Sequence, residues 1–219
     1  MPVERADLAL TLVLLASLGA ACATPPTLRV RSDVLDKITI ENKLLLFDAE
    51  NELNIAIDAR DQVVDEIARL KDDMRRAKKK RQVAERDEEV FAEKGDAERA
   101  RLAVLRGQAA DAQTEYLDAR LEWARERLDK ERRQLVVAKA KFELAKAKLV
   151  KKNNVPGASS IDLADFEEQV ADYAEDVGDS EADIQEAEAV MKEAEAQWVA
   201  ANGALRDASG GALGSRWLD

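Results

Sequence analysis

Phe166-Glu-Glu-Gln-Val170-Ala-Asp-Tyr173-Ala-Glu-Asp-Val177-Gly-Asp-Ser180-Glu-Ala-Asp-Ile184-Gln-Glu-Ala187-Glu-Ala-Val-Met191-Lys-Glu-Ala194-Glu-Ala-Gln-Trp198-Val-Ala-Ala201-Asn-Gly-Ala-Leu205 places an apolar or small residue at alternating steps of four and three. Among these numbered positions only Ser180 is polar. Such spacing lays one continuous stripe along a helix, and the stripe needs a second helix to cover it. Upstream, Leu117, Leu121, Ala124, Leu128, Glu131, Leu135, Ala138, Phe142, Ala145 and Leu149 repeat the pattern, interrupted by Glu131 alone. Between the two arms lies Lys151-Lys-Asn-Asn-Val-Pro156-Gly157-Ala-Ser-Ser160-Ile-Asp162. Pro156-Gly157 stops a helix and turns the chain, and Ser160 or Asp162 caps the next one. A connection this short joins antiparallel neighbours, so the stretch predicts a helical hairpin whose arms of about 40 residues span roughly 60 Å.

Charge selects the same pairing. Leu117–Lys152 carries 12 Lys/Arg against 6 Asp/Glu, whereas Ile161–Asp207 carries 2 against 15. Opposite net charges disfavour each arm pairing with a copy of itself, while the apolar seam supplies most of the stability. Large and small residues alternate on the seam: Phe142 between Ala138 and Ala145, and Trp198 between Ala194 and Ala201. Trp123 points off the seam and suits a third helix.

The candidate third helix is Asp48–Glu93. No proline occurs between Pro26 and Pro156. Leu53, Ile57, Val64, Ile67 and Met74 keep one face, broken by Arg60 and Lys71. Gly95 closes this helix and Asp96 caps the next. Ala103, Gly107 and Ala110 leave room for a close neighbour, converting the hairpin into a three-helix bundle at its base. Before it, Leu28-Arg-Val-Arg31 and Lys37-Ile-Thr-Ile-Glu41 alternate apolar with polar, and Ile38, Thr39 and Ile40 favour strands. The expected fold is therefore all-α: a long antiparallel coiled-coil hairpin, a third helix, and one or two short N-terminal strands.

At the N-terminus, Leu8-Ala-Leu-Thr-Leu-Val-Leu-Leu-Ala-Ser-Leu18 is followed by Gly19-Ala20-Ala21-Cys22 and then Ala23-Thr24-Pro25-Pro26. An apolar run of this length is a signal-peptide core, too short to span a bilayer comfortably. Ala20, Ala21 and Cys22 resemble the cleavage box of a bacterial lipoprotein signal, with Leu18 one place early and a weak positive lead, Arg5 being offset by Glu4 and Asp7. The resemblance implies a lipid on Cys22 and, with no Asp following it, residence at the inner leaflet of the outer membrane, facing the periplasm. Ala21-x-Ala23 offers a rival cleavage before Thr24, and an uncleaved anchor is a third reading. Cys22 is the only cysteine, so no internal disulfide is available to it. The order along the chain is then a signal peptide (1–21), a lipidated tether (22–30), a strand region with the first helix (31–95), the hairpin (96–207) and a compositionally flexible tail (208–219). In the tail, Trp217-Leu218 is either a docking hook or a stray apolar end.

Composition narrows function mainly by exclusion. Aromatic residues make up 4% and charged residues 36%, the balance of long helices rather than a large globular core. The absence of histidine removes His-based acid–base chemistry and nearly all zinc and haem sites. The net charge of −11 argues against nucleic acid as a partner. No pocket-forming segment stands out, so an enzyme is not expected and no cofactor or metal is assigned.

Ala138-Lys-Ala-Lys-Phe142-Glu-Leu-Ala-Lys-Ala-Lys-Leu149, continued through Trp198, resembles the periplasmic hairpins of TolC-type channels and membrane-fusion adaptors. The barrel strands and lipoyl-type segments of those families are missing, so the likeness implies a shape and a place beside such machines. Ile38-Thr-Ile-Glu-Asn-Lys43-Leu-Leu-Leu-Phe47-Asp48, with Leu53-Asn-Ile55 and Val63-Val-Asp-Glu-Ile67-Ala68, is similar to the first strand and helix of OmpA-type peptidoglycan-binding domains. The later Gly-His-Thr-Asp motif of that family is absent. Murein-type lipoproteins compare by architecture, but this chain ends in Asp219 where they end in a wall-linked lysine.

These readings converge on a lipid-anchored structural or interaction protein that meets an envelope partner, with peptidoglycan association as the alternative. The candidate contact residues are Cys22 for the lipid, Asn154, Pro156 and Gly157 at the hairpin turn, and Arg75, Arg76, Lys78 and Lys79 in the basic run Arg75–Arg81. That run either meets anionic lipid, wall or an acidic partner, or is a solvated face pairing with the acids at Glu85–Glu89.

Overall fold

The structure is a computed structural model that describes residues 26–214. The expectations for the leader, Cys22 and Trp217-Leu218 lie outside the described residues. Three long helices pack antiparallel: α3 (Phe47–Glu93), α4 (Ala97–Lys152) and α5 (Leu163–Ala208), of 47, 56 and 46 residues. Two one-turn helices precede them, α1 (Ser32–Leu35) and α2 (Ile40–Lys43), and 3-10 turns occupy Leu44–Leu46 and Ala158–Ser160. Contacts divide the chain into two units, Met1–Ile57 with Glu131–Val177 and Asp58–Lys130 with Gly178–Asp219.

Each long helix ends in the same way. After α3, Gly95 takes φ +71°, the Asp96 N–H donates to the Phe91 carbonyl at 2.9 Å, and the Gly95 N–H donates to Ala92 at 3.0 Å. After α4, Asn154 takes φ +47°, with Val155 bonded back to Val150 and Asn154 to Lys151. After α5, Gly210 takes φ +61°, with Gly211 bonded back to Arg206 and Gly210 to Asp207. This left-handed cap satisfies carbonyls that the helix leaves without donors. The next helices start on carboxylates: Asp96 accepts from the Arg99 N–H at 3.1 Å and Asp162 from the Ala164 N–H at 3.0 Å. Of the two expected caps at the hairpin turn, Asp162 is the one used.

No strand occurs among the described residues, which corrects the expectation for Leu28–Arg31 and Lys37–Glu41. The backbone donors a strand would have offered to a neighbour are taken by side chains instead. The Leu28 N–H donates to Gln169 Oε1 at 2.8 Å and the Val30 N–H to Glu143 Oε2 at 2.9 Å. Further on, Ile38 is buried while Ile40 is exposed, whereas a strand would have put both on one face. Residues 40–43 wind into α2.

In the first unit the core gathers Val30, Val34, Ile38 and Leu46 over Ala147, Val150, Val155, Ala158 and Phe166. Lys148 pairs with Glu167 at 2.9 Å, and Lys141 with Glu52 at 3.6 Å. In the second unit all three helices supply the core: Leu70 and Ala77 from α3, Tyr116, Leu117, Leu121 and Ala124 from α4, with Met191, Ala194 and Trp198 of α5 against them. In this unit the third helix packs on the two arms of the hairpin, as the sequence led one to expect.

The seam positions expected on α4 and α5 are all buried or half-buried, Glu131 included. Of the face expected on α3, Leu53, Ile57, Ile67 and Met74 are covered, and Val64 alone is replaced, by its neighbour Val63. Val63 is buried and Val64 exposed, and the covered positions run Arg60, Val63, Ile67, Leu70, Met74, Ala77, Arg81 and Ala84. Arg60 and Arg81 do not break this stripe: both are half-buried with their charges paired, Arg60 with Asp61, and Arg81 with Glu85 on its own helix and Asp111 on α4.

Candidate functional site

The second unit holds a groove of about 470 Å³ with an apolar floor and a basic rim. The floor is Val83, Ala109, Ala110, Leu205 and Leu213, and the rim is Arg76, Lys79, Lys80 and Arg106. Three segments build it. The α3 residues stand at steps of three and four on its outward side. Ala109 and Ala110 are small enough to leave the depression. Leu213 arrives because Ser209–Gly214 turns back, the Leu213 N–H donating to Ser209 Oγ at 3.0 Å. Gly214 comes so close that a Cβ there would lie 2.6 Å from the Asn202 carbonyl.

The rim cations are unequally engaged. Arg106 holds Asp87 at 3.0 Å, and Arg76 lies 3.6 Å from Asp73. Among the described residues Lys79 and Lys80 have no carboxylate within ion-pair distance. An adjoining recess is lined by Arg75, Lys78, Lys79, Gln82, Val83 and Arg86, and there Arg75 pairs with Asp72. All four basic candidates thus line one of these two depressions. Sequence reasoning missed the opposite wall, Arg106 and Gln113 on the next helix and Asn202 and Leu213 more than a hundred positions on, since nothing local marks such residues as neighbours.

Elsewhere in the second unit Glu66, 19% exposed, accepts from Arg120 at 3.1 Å and Arg127 at 2.9 Å. Burial works against the Arg120 charge, but the Tyr116 phenol and the Glu66 carboxylate outweigh it and hold its pKa above the ordinary value. Arg127 also covers the Trp123 ring, 4.5 Å from its centroid. Close packing at Gly107 matches the expectation for a near neighbour, because a Cβ there would sit 2.6 Å from Arg81 Nη1 and 3.8 Å from the Ala84 methyl.

Asn154, Pro156 and Gly157 belong to the first unit, at the turn joining α4 to α5. Asn154 and Gly157 are there for their backbones, with φ +47° and +99°. Pro156 is exposed between buried Val155 and Ala158. Among the described residues no cluster of acidic side chains and cysteine is arranged to hold a metal ion. No helix described is long and apolar enough to cross a membrane.

No protein-family model, curated protein or solved structure matches the chain.

Proposed function

We propose that this chain is a lipid-anchored, non-enzymatic interaction protein of the cell envelope. Cys22 holds it at the inner leaflet of the outer membrane, facing the periplasm, and its antiparallel coiled-coil hairpin is presented to a partner complex. The observation that carries the reading is the groove: uncompensated Lys79 and Lys80 stand over Val83, Leu205 and Leu213. Such a surface suits a segment of an envelope protein that carries carboxylates beside an apolar side chain. The apolar floor supplies the binding energy, and the lysines select an acidic partner against the chain's overall negative charge.

A photoreactive amino acid at Val83, activated in intact envelopes, tests this. Discrete adducts that disappear in the Lys79→Glu/Lys80→Glu background and weaken at high salt support the groove. Adducts indifferent to both changes, or none, overturn it. Anchoring is tested separately by labelled palmitate, which should attach to the wild-type chain and not to Cys22→Ser.

Peptidoglycan association is the second reading, favoured by the recess along Arg75, Lys78, Lys79 and Arg86, which faces anions readily. Co-sedimentation with purified peptidoglycan at low salt separates the two, and its absence removes this alternative.

A further inference from the structure

Four large apolar side chains within eight residues of one another stand in water in the first unit. Ile40, Leu44, Leu45 and Phe47 are 77%, 68%, 57% and 67% exposed. Ile40, Leu44 and Phe47 recur at steps of four and three from α2 into the start of α3, so they share a face. Leu46 among them is buried in the core, so the inward requirement of this segment is already met. An exposed apolar cluster of this kind marks a surface that something else covers.

Its place is fixed by two contacts. Asn42 Nδ2 donates to Asn153 Oδ1 at 2.8 Å, and the Val34 side chain lies 3.6 Å from where a Cβ on Gly157 would sit. The patch therefore adjoins the turn between α4 and α5. Lys37, Lys151 and Lys152 belong to the same region, and none has a carboxylate within ion-pair distance among the described residues.

Where the chain enters the fold selects the occupant. Thr27 Oγ1 and the Leu28 N–H both donate to Gln169 Oε1, and the Val30 N–H donates to Glu143. Gln169 lies roughly 9 Å along α5 from its start at Leu163. Cys22 precedes Thr27 by five residues, an extended reach of roughly 17 Å. A lipid on Cys22 thus reaches the level of the turn. Asp36, Glu41 and Asp48 are exposed beside the patch, Asp36 paired with Lys43, while Lys37, Lys151 and Lys152 are the cations left for an anionic headgroup layer to neutralise.

We infer that Ile40, Leu44, Leu45 and Phe47 seat in a phospholipid leaflet while Lys37, Lys151 and Lys152 face its anionic headgroups. The inference rests on the anchored reading of Cys22. It turns a loose tether into a defined attitude, with the turn at Asn154–Gly157 against lipid.

The test uses the full chain, purified from membranes and reconstituted into vesicles of phosphatidylethanolamine and phosphatidylglycerol. An environment-sensitive fluorophore is placed on Leu44→Cys and, as a control, on Val190→Cys. The expected result is a blue shift at position 44, quenched by lipids spin-labelled on the acyl chain, with no change at position 190. A solvent-like signal at 44 in a palmitate-labelled protein overturns the leaflet contact and leaves the anchor standing. Self-quenching between copies at 44, without quenching by lipid, overturns it in favour of a second copy. A lipid-quenched signal at 44 without palmitate labelling supports the contact and removes the anchor.

Discussion

Tyr116 of α4 and Trp198 of α5 stack with ring centroids 5.1 Å apart and planes 12° from parallel. The pair lies in the three-helix core of the second unit, where Leu70 and Ala77 of α3 join it. Trp198 fills the gap that Ala194 and Ala201 leave on either side of it along the seam. One ring thus closes the space between two helices and borders on the third.

Trp198→Ala should lower the urea midpoint by an amount equivalent to about 2–3 kcal/mol, less than a fully buried Trp because the ring is only half-buried. Trp198→Phe should recover most of the loss, since it keeps an aromatic face against Tyr116. Equal losses in the two variants would remove the stack as a stabilising contact.

Glu66 joins two guanidiniums, and Glu66→Ala should cost more than either Arg120→Ala or Arg127→Ala. About 1 kcal/mol is expected for Glu66→Ala, the arginines being over a third and about a third exposed and thus partly screened. A double-mutant cycle in urea at low and high salt measures it. Coupling should fall as salt rises.

Gly178 and Gly214 should respond oppositely to alanine. Gly178 is helical and a Cβ there meets nothing within 4 Å, so Gly178→Ala should stabilise by about 0.8–1 kcal/mol through helix propensity. Gly214 has φ +77° and a Cβ would strike the backbone at Asn202 and Arg206, so Gly214→Ala should undock Leu213. Thermal melting reads the first, and amide exchange at Leu213 reads the second.

Gln169→Ala should free Thr27 and Leu28 while Val30, held by Glu143, stays in place. Hydrogen exchange at the Leu28 amide should accelerate and exchange at Val30 should not. Acceleration at both would show that the segment opens as one piece.

Ser180→Ala should stabilise by about 0.5–1 kcal/mol, because its buried hydroxyl has no hydrogen-bond partner among the described residues. The thermal midpoint checks this, and a fall would reveal a bridging water.

The parts of this fold legible in the sequence are those written in local chemistry. The stripe from Phe166 to Leu205 recurs at helical spacing, Gly95 supplies a left-handed cap, and Asp96 and Asp162 supply acceptors within three residues of the donors they meet. The basic run was likewise visible, since its members are neighbours in sequence. The burial of Val63 in place of Val64 was not, because the two are equally apolar and only the helix packed against them chooses between them. Leu28 and Val30 alternate as a strand would, yet their N–H groups found acceptors on Gln169 and Glu143, more than a hundred residues away. The groove is of the same kind: Lys79, Arg106 and Leu213 become one surface only when helices and tail have packed. Periodicity and capping act over a few bonds and survive in a one-dimensional pattern, whereas the choice of hydrogen-bond partner and of buried face is a competition settled by distant side chains.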